Sequence, residues 1–260
     1  MQVLKQIAQN RSEIKMLNIY KGLPISYDTS IDSVDNAEIL VPSNKHQLAC
    51  LYYQGESFLQ AEGLPFIIRS QVMSLNLAKQ NAVFSNFEMV KNSIGNRSEI
   101  RVEPGEPLIV SIQFKGAVSE TLAPLADISA SGASVYFETY LFPSRVCQMG
   151  TDLTMTISLP DSISNKIKKL SQKPAADTRK LNLPPRSSSA EGQDGKIVIT
   201  ASGRVVAVHP EFHLKRYRVS VRLFFKDLSR VVILQYISQR QSEIIQDLRL
   251  LSDELYNLKK

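Results

Sequence analysis

The segment "RSEIR", residues 97–101, carries two arginines four positions apart, and "DISASG", residues 127–132, follows about thirty residues later. Each segment alone is a weak signal, because surface arginines at this spacing are common and Asp- or Ser-led turns often contain glycine. The arginine pair precedes one β-like run, and the Asp/Ser/Gly group lies in the next run and its turn. We therefore expect both segments at one rim of a small β-barrel.

The side chains in these segments are suited to anion capture. A guanidinium grips a phosphate in bidentate fashion and stacks on a purine face, which makes Arg97 and Arg101 candidate ligand residues. The carboxylate of Asp127 and the hydroxyl of Ser129 either read a guanine edge or orient the arginines. Gly132 lets the backbone approach a ligand closely. Because no proton-transfer group or metal cluster accompanies them, the pattern predicts binding rather than a reaction.

Short extended runs surround the two segments. In "TDLTMTISLP", residues 151–160, apolar and polar side chains alternate, which predicts a strand with one wet face. Upstream, residues 1–17 have the periodicity of an amphipathic helix. Residues 22–91 contain short runs broken by turn residues, including "QLACLYYQG" at 47–55, and predict a small β-barrel.

The C-terminal residues 229–260 contain no Gly or Pro and predict a long helix. Its apolar positions step by three and four: Leu234, Ile237, Gln241, Ile244, Leu248, Leu251, Leu255 and Leu258. We expect the first two to pack on the barrel of their own chain. The last four lie beyond the reach of that barrel, so the heptad pattern predicts a homo-oligomer held by this helix.

The net charge of +6 is concentrated in one polar segment. Residues 165–196 hold eight Lys or Arg and three Asp or Glu, a net charge of +5. The rest of the chain is close to neutral, so a DNA-binding face is not expected. The segment itself predicts a disordered loop in an otherwise compact barrel, with no function that its residues define.

Apolar residues make up 43% of the chain, enough for a buried core. No apolar run has the ~18 residues that span a bilayer, and the N-terminus lacks the features of a secretory signal, so a cytoplasmic protein is expected. Cys50 and Cys147 are then predicted to be buried free thiols. His46 and Cys50 are two possible metal ligands without companions, so no metal site is predicted.

The two motifs match the PilZ-domain signature, RxxxR followed by [D/N]xSxxG, at the usual separation of that family. Extended runs and a final helix follow in the order of the family, so that the resemblance covers about residues 94–245. Residues 18–92 more loosely resemble the N-terminal split barrel of flagellar-brake proteins. The resemblance implies a mainly β chain of two tandem small barrels, with domains at 1–92 and 93–260 and a C-terminal helix at 229–260.

The PilZ resemblance also implies a receptor for the bacterial second messenger cyclic di-GMP. Arg97 and Arg101 would hold phosphate and guanine. The other side of the binding site would be formed by Asp127, Ser129 and Gly132. The chain has asparagine, at position 96, where many members have a further arginine, and this linker residue is an additional candidate. That departure leaves open whether one or two cyclic di-GMP molecules bind.

The resulting hypothesis is a non-enzymatic cyclic di-GMP effector that passes its signal to a protein partner, such as the flagellar motor or polysaccharide machinery, in motility or biofilm control. Residues 89–97 join the two domains and end in a ligand residue, which predicts domain reorientation on binding. The alternative is a PilZ-derived scaffold that binds no nucleotide and acts through its helix. A hydrolase using Ser129, Asp127 and His209 or His213 is disfavoured, because no spacing suggests the required geometry.

Overall fold

The chain divides into two compact units. The N-terminal unit takes in the described residues of 1–100 and 241–260, and the barrel unit takes in those of 101–240. The sequence-based boundaries assign the whole C-terminal helix to the second domain, whereas the structure shares that helix between the units. The computed structural model describes residues 1–62, 64–90, 99–159 and 197–257.

The N-terminal unit is built on a seven-stranded antiparallel sheet, in the place of the predicted split barrel. The strand order is β2-β1-β5-β6-β7-β4-β3. The hydroxyl of Thr29, in an edge strand, donates to the carbonyl of Pro42 at 2.8 Å, so the sheet curves strongly toward itself. The strands are β1 Ile14–Tyr20, β2 Leu23–Thr29, β3 Ser33–Asp35, β4 Glu38–Pro42, β5 Glu56–Ala61, β6 Ile67–Asn76 and β7 Asn81–Val90.

The first helix, α1, is shorter than the sequence predicts and spans only Gln2–Gln9. The amide of Ser12 donates to the carbonyl of Ile7, and Arg11 adopts a positive φ of 50°, which ends the helix. The downstream apolar residue Ile14 belongs to β1 and is buried there. The prediction of a helix over 1–17 was wrong because the apolar residues of α1 and those of β1 together have the spacing of a single amphipathic helix.

The run at 47–55 is a helix rather than the predicted strand. Helix α2 spans Lys45–Gln54 and begins at Asn44, whose side chain accepts a hydrogen bond from the amide of Gln47 at 2.8 Å. It ends at Gly55, which has a φ of 71°. An asparagine N-cap and a left-handed glycine C-cap are strong helix-boundary signals, and they override the β propensity of the tyrosines between them.

The barrel unit is a closed six-stranded antiparallel barrel in the order β10-β13-β12-β11-β8-β9. Apolar side chains fill its interior, and the predicted alternation in β11 is confirmed, with Leu153, Met155 and Ile157 buried. The strands are β8 Ile109–Phe114, β9 Thr121–Ile128, β10 Gly132–Glu138, β11 Asp152–Ser158, β12 Val198–Glu211 and β13 Arg216–Phe224.

The predicted long C-terminal helix is confirmed as α3, which spans Asp227–Asn257. Leu234 is exposed, contrary to the prediction that it packs on the barrel, and Ile233 is buried instead. In the second half of the helix, the predicted stripe is buried at three positions and half-buried at Leu251. The three buried positions are Ile244, Leu248 and Leu255.

The burial of Leu248 and Leu255 weakens the reason for expecting self-association. Residues 241–257 belong to the N-terminal unit, where Asp247 pairs with Lys21 at 2.9 Å and Asp253 pairs with Lys45 at 3.2 Å. Leu248 and Leu255 are therefore covered by their own chain. The homo-oligomer stays a prediction, but Leu248 and Leu255 no longer support it as exposed residues.

Three predictions lie outside the described residues: the disordered loop at 165–196, the linker around Gly95 and the end of the helix at Leu258. The described helices lack the combination of length and apolar content that a bilayer-spanning segment requires.

Candidate functional site

Backbone pairing fixes the position of Arg101 in the barrel unit. The next residue, Val102, exchanges two hydrogen bonds of 3.0 Å with Ile128, the last residue of β9. This isolated bridge holds the segment before β8 against the strand that carries Asp127. The sequence predicts both motifs at one rim of the barrel, and in the structure Arg101 Nη1 lies 3.5 Å from Asp127 Oδ1.

Asp127 is a buried carboxylate that pairs with two guanidiniums. Its Oδ1 faces Arg101, and its Oδ2 accepts a hydrogen bond from Nη2 of Arg218 in β13. The Asp127 side chain is only 3% exposed, while those of Arg101 and Arg218 are 30% and 35% exposed. The geometry favours the orienting role for Asp127, because each carboxylate oxygen already engages an arginine.

The electrostatics of Arg218 keep it charged. Burial works to lower its pKa, but the Asp127 carboxylate, the nearby Tyr136 and the hydrogen bond to Asp127 raise it, and the net shift is upward. A buried acid that gains two cationic partners avoids the cost of an unpaired charge. The cluster therefore presents two guanidiniums that are held by one buried carboxylate.

Ser129 and Gly132 shape the turn between β9 and β10. The Ser129 amide donates to the Gly132 carbonyl at 2.7 Å, and the Ser129 hydroxyl donates to the same oxygen at 3.2 Å. A Cβ at Gly132 would lie 2.8 Å from the carbonyl oxygen of Val221 in β13. The structure thus supplies a packing reason for this glycine, distinct from the close ligand approach expected from the sequence.

Arg218 was missed by the sequence analysis. A signal exists in the alternation of β13, where Arg216 and Arg218 share one face and Val219 and Val221 are buried on the other. That alternation shows which residues point outward. It does not show that β13 pairs with β10 beside Asp127, because Arg218 and Asp127 are 91 residues apart in the sequence.

Arg97 and Asn96 lie outside the described residues, so the first arginine of the motif stays a prediction. The structure brings together Arg101 and Asp127, and it places Ser129 and Gly132 in the adjoining turn.

Residues considered for other chemistry lack the surroundings that such chemistry needs in the part of the chain described. Cys50 and Cys147 are buried free thiols, as predicted, and burial raises the pKa of each to about 12, which suppresses the reactive thiolate. Within the described ranges, His46 and Cys50 have no third ligand to complete a metal site. Ser129 is buried, and Asp127 pairs with arginines, an arrangement unlike that of a hydrolase triad.

The sequence matches no protein-family model and no curated protein. Solved structures resemble it over nearly its full length. The Bacillus subtilis inhibitor of motility MotI/DgrA is 14% identical, with coverage of 90% of this chain and 97% of that chain and a TM-score of 0.39. The complex of K. pneumonia MrkH with c-di-GMP is 14% identical, with coverages of 97% and 94% and a TM-score of 0.37.

YcgR from Escherichia coli, in complex with c-di-GMP, is 11% identical, with coverages of 99% and 92% and a TM-score of 0.35. All three structures are similar to this chain at low sequence identity over most of its length. The candidate ligand residues of this chain are inferred from its sequence and from the geometry around Asp127.

Proposed function

We propose that the chain is a cyclic di-GMP receptor that binds the dinucleotide at the barrel rim and the interdomain linker. The single observation that carries this proposal is the pairing of buried Asp127 with Arg101 and Arg218. A carboxylate that orients two guanidiniums lowers the entropy lost when they engage an anion. The two phosphates and two purine bases of cyclic di-GMP suit groups that form bidentate contacts and stack on rings.

The ligand set in this proposal comprises Arg97, Arg101, Asp127, Ser129 and Gly132, with Asn96 as a further linker candidate. Arg97 and Arg101 contact phosphate and guanine, and Asp127 holds Arg101 in place. The contact from Val102 to Ile128 supports this arrangement, because it keeps Arg101 beside the second motif.

The signal then passes to a protein partner through reorientation of the two domains. Arg97 belongs to the linker at 89–97 that joins them, so ligand contact at Arg97 would favour one arrangement of the two domains. Motility, exopolysaccharide synthesis and transcription are all compatible outputs, and affinity capture of partners with and without nucleotide separates them. The scaffold alternative has lost its main support, because Leu248 and Leu255 are buried within the chain rather than available for oligomerisation.

Calorimetric titration with cyclic di-GMP tests the receptor function directly. Wild-type protein should bind at micromolar ligand or below, and Arg97→Ala and Arg101→Ala should each weaken binding by about tenfold or more, since a hydrogen bond to a charged group contributes ~1.5–3 kcal/mol.

Arg204→Ala is the matched control, because Arg204 pairs with Asp152 elsewhere on the same barrel. It should bind like wild type. Absence of wild-type binding at high micromolar ligand would refute the receptor function, and equal losses in the control and the site variants would show a general charge effect.

A further inference from the structure

An aromatic ring between two arginines lies next to the Asp127 cluster. Tyr136 in β10 faces outward and is paired across the strands with Arg218. The Arg216 guanidinium carbon lies 3.7 Å from the centroid of the Tyr136 ring, and that of Arg218 lies 5.8 Å from it. The sequence motifs include neither Tyr136 nor Arg216.

The Arg216 guanidinium is held in place from two directions. Tyr136 covers one of its faces, and its Nε donates to Oε2 of Glu211 at 2.6 Å. Glu211 is the direct partner of Arg216 in the pairing of β12 with β13, so the contact is built into the strand register. The Arg216 side chain remains 28% exposed to solvent. A planar cation fixed in this way is pre-organised for stacking.

Contacts connect this stack to the candidate ligand site. Arg218 lies beside Tyr136 and donates to Asp127, and Asp127 also faces Arg101. In the pairing of β9, β10 and β13, Asp127 is opposite Ser134, two residues from Tyr136. Two residues along a strand correspond to roughly 7 Å, which is within the dimensions of a dinucleotide.

The geometry points to a base-stacking subsite: we propose that Arg216 and Tyr136 form a platform for one guanine base of the dinucleotide bound at Arg101 and Asp127. This inference rests on the proposed function. Arginine planes and aromatic rings are the surfaces on which proteins stack unpaired bases, and a base on Arg216 would extend the existing stack of guanidinium on ring. Arg218 links the platform to the anion site through Asp127.

The test compares cyclic di-GMP affinities of Arg216→Lys, Tyr136→Leu and wild-type protein by calorimetry. Lysine keeps the positive charge but has no planar group to stack, so a loss in this variant reports stacking rather than charge. Each variant should bind about tenfold more weakly than wild type. Arg204→Lys is the matched control, because Arg204 also pairs through Nε with a carboxylate on the outside of the barrel, and its affinity should be unchanged.

Thermal unfolding by circular dichroism establishes that each variant is folded. If Tyr136→Leu does not fold, Arg216→Lys alone is sufficient for the test, because it changes a partly exposed site. Wild-type affinity in Arg216→Lys, combined with lost binding in Arg101→Ala, would overturn the platform and leave the receptor function standing. A wild-type protein that binds no cyclic di-GMP would overturn both.

Discussion

At the scale of the residue, Asp127 and Gly132 illustrate two different reasons for a motif position. Asp127 is buried with a guanidinium at each carboxylate oxygen, so its value to a ligand site is the placement of arginines. Gly132 is held between strands, with the Val221 carbonyl where a side chain would begin. In the proposed function, Asp127 serves recognition through its neighbours, whereas Gly132 serves the construction of the barrel wall.

Replacing Gly132 by alanine should therefore destabilise the fold. The added Cβ would meet a backbone oxygen at 2.8 Å, and backbone cannot move aside as a flexible side chain does. Overpacking of this kind costs about 1–3 kcal/mol, measurable by urea unfolding. Glu138→Ala, an exposed change in the same strand, is the control and should alter stability by less than about 0.5 kcal/mol. Equal stabilities for the two variants would contradict the packing explanation.

At the scale of the element, α3 shows how one apolar stripe is divided between two units. Its residues up to Arg240 belong to the barrel unit, where the Arg240 Nε donates to the carbonyl of Glu103 at 2.9 Å. From Gln241 onward the helix belongs to the N-terminal unit, and its buried leucines are part of the folded chain. The pairs of α3 with Lys21 and Lys45 flank this buried face.

Two leucines of α3, one buried and one exposed, test whether the second half of the helix is part of the folded N-terminal unit. Leu248 is 5% exposed and Leu250 is 55% exposed. Leu248→Ala should lower the free energy of unfolding by about 2–5 kcal/mol, because it removes buried methyl groups and leaves a cavity. Leu250→Ala should change it by less than about 0.5 kcal/mol.

Light scattering on the same samples reports the oligomeric state. One outcome would restore the self-association hypothesis and contradict burial within the chain. In that outcome the wild-type protein is an oligomer, and Leu248→Ala is a monomer with an unchanged free energy of unfolding.

His46 in α2 gives the N-terminal unit a pH dependence. Burial lowers its pKa, the positive charges of Lys45 and Arg249 lower it further, and Asp253 opposes them. A histidine whose folded pKa lies below the unfolded value of ~6.5 binds protons more readily in the unfolded state. Its contribution to stability is therefore complete above about pH 6.5 and is lost as the pH falls toward the folded pKa.

The midpoint of urea unfolding, measured from pH 5 to pH 8, tests the direction of this change in stability with pH. His46→Gln should flatten the part of the profile below pH 6.5 relative to wild type, because the group that titrates is gone. His213→Gln, an exposed change in a short 3-10 helix, is the control. A profile of His46→Gln that runs parallel to wild type would show that His46 does not contribute.

At the scale of the whole molecule, the two units are joined twice along the chain, through the segment before Arg101 and through α3 at residues 240–241. Domain reorientation on ligand binding, part of the proposed function, has to involve both connections. A ligand held at Arg97 and Arg101 acts directly on the first.

Small-angle X-ray scattering with and without saturating cyclic di-GMP measures the reorientation. The wild-type profile should change on saturation, because in the proposed function the ligand binds one arrangement of the two domains more tightly than the other. Arg101→Ala at the same ligand concentration should show no change. Superimposable wild-type profiles, at a concentration where calorimetry shows saturation, would contradict the reorientation and leave ligand binding unaffected.

The sequence by itself determined the features that depend on neighbouring residues. The alternation in β11 predicted its buried face, and the helix-favouring C-terminus predicted α3, because strand and helix periods are read within a few residues. The motif pattern also predicted that the two motif segments lie at one rim of the barrel. By contrast, the caps at Asn44 and Gly55 were overlooked, although local signals for them exist.

Only the tertiary structure decided which surfaces meet. It brought Arg218 to Asp127 across 91 residues, and it covered Leu248 with the N-terminal unit rather than with a second chain. The outward face of β13 and the apolar stripe of α3 are both visible in the sequence. The spacing of apolar residues shows which side chains share a face of a strand or helix. It does not show what packs against that face, because this depends on strand order and on which other apolar surfaces of the chain need to be buried.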